Sequence, residues 1–152
     1  HRKGLGILVN KWDLMPDKDT NTPRDYAKDI RDRLQTLSYV PIQFISATTG
    51  QRVGKVLELA TTIGDERKKR ISTSKLNEVV QAAFAAHHPP TYRGAAVRIK
   101  FATQVRTEPP TFAFFANHPK GVGDSYKRYL ENKVRAAFGF EGVPMGIVIR
   151  QK

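Results

Sequence analysis

Gly4-Leu5-Gly6-Ile7-Leu8-Val9-Asn10-Lys11-Trp12-Asp13 is an apolar run that ends in Asn-Lys-x-Asp. The pattern predicts a buried strand that delivers a polar loop at its carboxyl end, the edge where open α/β sheets bind ligands. A guanine base offers two adjacent N–H donors, on N1 and N2, and a single carboxylate can accept both. Asp13 is the right group for that bidentate contact. The amide of Asn10 suits fixing the loop or meeting a purine N7, and Lys11 can lay its aliphatic stem along base and ribose. The same residues also suit an ordinary polar turn, so the rest of the chain must choose.

Downstream, a loop of turn formers, Met15-Pro16-Asp17-Lys18-Asp19-Thr20-Asn21, precedes Thr22-Pro23. Thr22 is the expected N-cap of a helix with Pro23 at its first position. Asp25 lies in the first turn, where an acid suits the helix dipole, and Tyr26, Ala27, Ile30, Leu34 and Leu37 form the expected core stripe. A second apolar strand is predicted over 40–45, ending in Ser46-Ala47-Thr48, and Gly50 marks a turn. A second amphipathic helix should then present Val53, Val56, Leu57, Ala60 and Ile63 on one side. Strand, helix, strand, helix in that order implies a parallel α/β arrangement with both strand ends on one edge.

Asn10-Lys11-Trp12-Asp13 followed by Ser46-Ala47 at the end of the next strand resembles the two guanine-recognition motifs of translation-factor-like GTPases. The resemblance implies GTP or GDP as ligand, with Asp13 reading guanine N1 and N2, Asn10 bracing the loop and contacting the base, and Lys11 covering the ring. It also implies that the backbone around Ser46 and Ala47 donates to guanine O6. No Gly-x-x-x-x-Gly-Lys-Ser/Thr occurs to cradle phosphates, and no Asp-x-x-Gly occurs to sense a γ-phosphate. Phosphoryl transfer depends on positioning and charge stabilisation around the phosphates. The expectation is therefore a chain that starts inside a P-loop domain, contributes no catalytic residue and no metal ligand, and does not hydrolyse GTP as it stands. Mg²⁺ would belong to the longer parent protein.

The 152 residues suit one domain or two small ones, and 39% hydrophobic content supports a core that is not generous. Without Cys there is no disulfide, thiol nucleophile or cysteine-ligated metal, which agrees with a cytoplasmic setting. No apolar run has the length of a membrane span, and the amino end does not read as a signal peptide, so no membrane partner is expected. A net charge of +12 favours a polyanionic partner such as nucleic acid.

Residues 64–72, with Arg67-Lys68-Lys69-Arg70 inside them, read as a charged linker between residues 1–63 and 73–152, and equally as a nucleic-acid contact. Ser72-Thr73-Ser74 opens a helix with Leu76, Val79, Val80, Ala83 and Phe84 on one stripe, closed by His87-His88-Pro89-Pro90. The adjacent histidines do not share a helix face, so they read as a solvated pair rather than metal ligands. A strand with Ala95, Val97, Ile99 and Phe101 inward and Ala96, Arg98, Lys100 and Ala102 outward follows, then a break at Glu108-Pro109-Pro110 and a second strand over 111–117. Asp124 or Ser125 should cap a helix with Tyr126, Tyr129, Leu130, Val134, Ala137 and Phe138 inward, and Gly139 suits its end. A last strand runs over 145–150. The order α-β-β-α-β predicts an α+β layer with helices on one face of a three-stranded sheet. Residues 71–152 carry 12 Lys and Arg against 5 Asp and Glu, a net +7.

That order resembles a KH domain, an RNA-binding fold. The usual Gly-x-x-Gly backbone clamp between two helices is absent, since one helix stands at that place and Gly121-Val122-Gly123-Asp124 has other spacing and precedes the helix. Arg98, Lys100, Lys127, Arg128, Lys133 and Arg135 are candidate RNA phosphate contacts, or equally solvated faces. Taken together, Asn10 to Asp13, Ile45-Ser46-Ala47, the run from Arg70 to Asn77, Pro89-Pro90, Ser125-Tyr126-Lys127-Arg128-Tyr129-Leu130 and Phe140-Glu141-Gly142-Val143-Pro144 resemble a bacterial family. It is the EngA family of double Era-like GTPases, with two tandem GTPase domains and a KH-like domain. The resemblance implies a role in assembly of the large ribosomal subunit through ribosomal RNA. It also implies packing of the KH-like half against the protein's own upstream GTPase domains. Whether that half contacts RNA or chiefly regulates those domains stays open on the sequence.

Overall fold

The computed structural model describes residues 3–152, so residues 1 and 2 of the expected first domain lie outside the described residues. Strands β1 (Ile7–Val9) and β2 (Ile42–Phe44) pair in parallel, with Ile7, Leu8 and Val9 opposite Ile42, Gln43 and Phe44. Helix α1 (Thr22–Arg33) crosses between them and α2 (Gly54–Lys68) follows, as the periodicity predicts. Both strands therefore release their loops at the same edge.

Several local expectations need correction. Strand β1 is half-buried rather than buried, with Leu8 exposed. The cap of α1 is not Thr22. Asn21 holds the N-cap position without a side-chain bond, and Asp19 supplies the cap instead, its Oδ1 accepting from the Asn21 and Thr22 amides at 2.8 and 2.7 Å and from the Thr22 hydroxyl. Those bonds hold the Asp19 carboxyl below its usual pKa. Of the α1 stripe only Ala27 is buried, and Tyr26 and Leu34 are exposed. In α2 the inward residues are Val56, Leu59 and Ile63, while Val53 and Leu57 face water. Helix α2 also continues through the start of the expected linker, so only residues 69–72 connect it to α3 (Thr73–Ala86).

The second half keeps the predicted α-β-β-α-β order: α3, β3 (Ile99–Thr107), β4 (Pro110–Ala116), α4 (Asp124–Phe138) and β5 (Gly146–Gln151). The sheet order is β3-β4-β5, antiparallel between β3 and β4 and parallel between β4 and β5. Ser72 caps α3, its hydroxyl accepting from the Lys75 amide. At α4, Gly123 occupies the N-cap position without a side-chain bond, and Asp124 instead pairs with Lys127 at 2.9 Å.

The β3 alternation slips. A bulge between Ile99 and Phe101 brings Ala102 and Gln104 inward and turns Phe101 to the opposite face, the reverse of the sequence reading. The edge is managed by α3: Asn77 exchanges hydrogen bonds of 2.8 Å with both backbone groups of Ala102, acting in place of a further strand. The core closes around Leu76, Val80, Phe112, Phe114, Leu130, Val134 and Phe140, all fully buried.

The two halves meet at residues 138–143. Gly142 accepts from the Leu5 amide at 2.7 Å and donates to the Tyr39 carbonyl at 2.8 Å. It has a positive φ of 70°, and a Cβ there would lie 2.7 Å from the Leu5 carbonyl oxygen and 2.8 Å from Ile63, so glycine is required. Glu66 accepts from the Phe140 amide at 2.6 Å, and Lys69 pairs with Glu66 and donates to the Phe138 carbonyl at 2.9 Å. Part of the charge expected on a solvated linker is therefore spent holding the halves together.

Candidate functional site

The loops after β1 and β2 lie side by side because the strands are parallel and in register. Three hydrogen bonds lace them: Ile45 N–H to the Val9 carbonyl at 2.9 Å, Trp12 N–H to the Ile45 carbonyl at 3.0 Å, and Ala47 N–H to Asn10 Oδ1 at 3.0 Å. Asn10 Oδ1 also accepts from the Lys11 amide at 2.8 Å. One amide oxygen thus ties the Asn-Lys-x-Asp loop to itself and to the Ser-Ala loop 37 residues later.

Lys11 sits in the left-handed region at φ 58°, and a short 3₁₀ turn, Trp12–Leu14, follows. That reversal points successive side chains apart: Lys11 is exposed and Trp12 is buried. Trp12 packs on Phe44 at 4.4 Å and edge-on to Tyr26 at 5.8 Å, with Ala27 beneath. The ring anchors the loop in the first half's own core, a role the sequence reading did not give it. The only signal was a lone tryptophan at the variable position of the motif. Lys18 adds a second brace, donating to the Trp12 carbonyl at 2.6 Å and lying 5.9 Å from the indole. Its place in a polar turn gave no warning of this.

Asp13 is half-buried, and its Oδ1 is shielded from water without a hydrogen-bond partner in the chain. A buried carboxylate oxygen left bare costs free energy, so the arrangement is poised for a donor from outside. Ser46 is fully buried, its N–H donating to the Gln51 carbonyl at 3.0 Å and its hydroxyl accepting from the Thr49 amide at 3.2 Å. The Ser46 and Ala47 amides thus both have acceptors within the chain. The geometry brings Asn10, Lys11, Asp13, Ser46 and Ala47 to one edge.

The six candidate RNA contacts of the second half are not brought together. Arg98 and Lys100 are exposed beside the β3 edge, with the Arg98 backbone fixed by Asn117 at 2.8 Å. Lys127 is paired with Asp124, Arg128 is exposed, and the Lys133 ammonium lies 5.5 Å from the Tyr129 ring. Arg135 is internal. Its guanidinium donates to the Phe140 and Val143 carbonyls, pairs with Glu131 at 3.1 Å and stacks 4.3 Å from Tyr39 of the first half. It is a strut of the seam, its guanidinium already engaged within the chain. A cleft of about 300 Å³ between the halves is lined by Tyr39, Arg128, Glu131 and Arg135.

His87 packs against Tyr126 and Tyr129 while His88 lies tilted against Phe84, so the pair diverges. Among the described residues, no group of three His, Cys, Asp or Glu could hold a metal ion, and no helix is long and apolar enough to cross a membrane.

The sequence family described as the C-terminal KH-domain-like domain of EngA bacterial GTPase enzymes matches residues 70–150. A protein of Moorella thermoacetica named GTPase Der is 48% identical over 153 residues, covering 99% of this chain and 35% of its own length. One of the same name from Flavobacterium johnsoniae is 50% identical over 152 residues, covering 100% and 35%. The chain spans about a third of the length of the curated relatives it matches.

Proposed function

This chain belongs to the EngA family of bacterial GTPases, and on that premise we propose that residues 1–63 are the guanine-reading end of a P-loop GTPase domain. In this reading residues 64–72 link that segment to a KH-like domain over 73–152. The whole serves a cytoplasmic GTP-binding protein that acts in assembly of the large ribosomal subunit, with ribosomal RNA as partner. Hydrolysis belongs to the longer protein, whose upstream residues hold the phosphates and Mg²⁺. The observation that carries the reading is the shielded, partnerless Oδ1 of Asp13 beside a loop pair that Asn10 ties together.

Each residue then has a task. Asp13 accepts from guanine N1 and N2, which gives its bare oxygen a donor. Asn10 holds the two loops at fixed separation and turns its amide NH₂ toward the base. Lys11, exposed at the turn, covers the ring with its stem. The Ala47 amide is shared between Asn10 and guanine O6. Base contacts alone leave the phosphates without a cradle, so the 152-residue chain should show no GDP affinity in a fluorescent-nucleotide titration. Tight binding would sink that expectation.

Asp13→Asn in a protein of the relatives' full length tests the base reading. Xanthine carries a carbonyl at C2 where guanine carries an amine, and Asn offers that carbonyl a donor. GDP affinity should fall about 100-fold, the loss of two hydrogen bonds to a charged group, while xanthosine diphosphate gains. An unchanged guanine preference would remove Asp13 from the role.

A second reading makes the KH-like half chiefly an intramolecular regulator. It is favoured by the seam, where Gly142, Glu66, Lys69 and Arg135 bond the two halves. Crosslinking of Arg98, Lys100, Lys127, Arg128 or Lys133 to ribosomal RNA would favour the first reading, and a flat salt response of binding the second.

A further inference from the structure

We propose that the open face of the β3-β4-β5 sheet is a stacking platform for unpaired bases of single-stranded RNA. The proposal rests on the reading that the KH-like half touches RNA, and it adds where the bases go. Strand register sorts the sheet into two faces. The rows Ala102–Phe114–Ile149 and Gln104–Phe112–Ile147 lie under α3 and α4 in the core. The alternate rows, Phe101–Phe115–Arg150 and Thr103–Ala113–Val148, lie on the other face, away from that core.

On that face Phe101 and Phe115 stack with centroids 4.3 Å apart and planes 10° from parallel, both rings partly exposed. Arg150 continues the row, and the Lys152 ammonium lies 5.1 Å from the Phe101 ring. Val148 and Val105, 38% and 44% exposed, extend the apolar surface. The β3 bulge creates this pair, because it turns Phe101 away from the core and sets it opposite Phe115.

Charge selects the occupant. The three strands contain Lys100, Arg106 and Arg150, followed by Lys152, and no Asp or Glu. An apolar protein surface would gain nothing from that basic rim, whereas phosphodiesters are drawn to it. The two rings already stack on each other, so a base adds to the outer face of the pair, and because every base has a π-face this tolerates sequence. The platform is also separate from Lys127, Arg128 and Lys133 of α4, a helix that packs on the opposite side of the sheet.

The test is fluorescence anisotropy with the 152-residue chain, using a labelled oligouridylate and an abasic strand of equal length. The wild type should bind the oligouridylate more tightly. Phe101→Leu with Phe115→Leu keeps apolar volume and removes both rings. It should lose about tenfold on oligouridylate and nothing on the abasic strand. Arg150→Glu, an exposed change that spares the packing, should weaken both strands, which keeps the test decisive if the double variant does not fold. Full oligouridylate affinity in the double variant, or wild-type affinity in Arg150→Glu, overturns the proposal. Equal wild-type affinity for the two strands sinks the platform but leaves RNA contact standing, whereas no binding to either sinks both. Unchanged RNA affinity with lost self-association would make the face a protein interface and also overturn it.

Discussion

Helices α2 and α4 each have fifteen residues, yet α4 fully seats Leu130 and Val134 and nearly all of Tyr126, whereas α2 buries no residue. Leu57 in α2 is 75% exposed. Helix α4 lies over a three-stranded sheet and against α3, so its stripe at i, i+4 and i+8 meets partners along its length. Helix α2 meets a two-stranded sheet near Gly4 and Gly6, where its Leu59 and Ile63 rest on backbone. The first half's buried hydrophobic cluster is Trp12, Ala27 and Phe44, and it serves a loop more than a domain. Periodicity makes a helix; burial needs a surface to receive it. The first half borrows order from the second through Gly142, Glu66 and Tyr39.

Four substitutions probe that difference, from large to small effect. Leu130→Ala opens a cavity in the closed core and should cost about 3 kcal/mol by urea denaturation. A cost under about 1 kcal/mol would mean that the second-half core is looser than its burial indicates. Gly142→Ala should cost about 2 kcal/mol, from positive φ and overlap with the Leu5 carbonyl and Ile63. It should also separate the halves. Trp12 is the sole tryptophan and reports the first half, so its fluorescence transition should move to lower urea than the helical circular dichroism. Coincident transitions in this variant would deny the seam its coupling role.

Tyr126→Phe should cost about 1 kcal/mol, since it removes the phenol's 2.7 Å bond to the His87 carbonyl. Burial first, and the neighbouring Tyr129 second, push the Tyr126 phenol up to about 12 from 10.0. The folded state thus favours the protonated phenol. Its contribution is full below pH 10 and is lost as pH rises toward 12. The Phe variant should lose that part of alkaline sensitivity in pH-dependent melts, and an unchanged profile would count against it. Leu57→Ala should stay within about 0.5 kcal/mol, the mark of a helix face that meets nothing. A larger loss would reveal an unsuspected contact for the first half.

The paired loops after β1 and β2 were legible because their chemistry is local. Asn10, Lys11 and Asp13 are adjacent, and a strand–helix–strand repeat brings Ser46 and Ala47 to the same edge. The α-β-β-α-β order was legible for a related reason, since helix and strand periods are written in consecutive residues. Arg135 was misplaced among exposed basic residues because its helix position says nothing of the Tyr39 ring and loop carbonyls brought to it from elsewhere. Phe101 was placed inward because strict alternation cannot foresee a bulge, which depends on what α3 and β4 offer each side of the strand.

For Asn10 to Asp13, then, the chemistry is written in the residue types: a carboxylate, an amide and a long cation at the end of an apolar strand. It is the folding of distant segments around the motif that commits the Asn10 oxygen to two loops and anchors the turn through Trp12 while one oxygen of Asp13 remains bare. Residue types set which bonds a group is able to make. The packing of distant segments sets which of those bonds are already made.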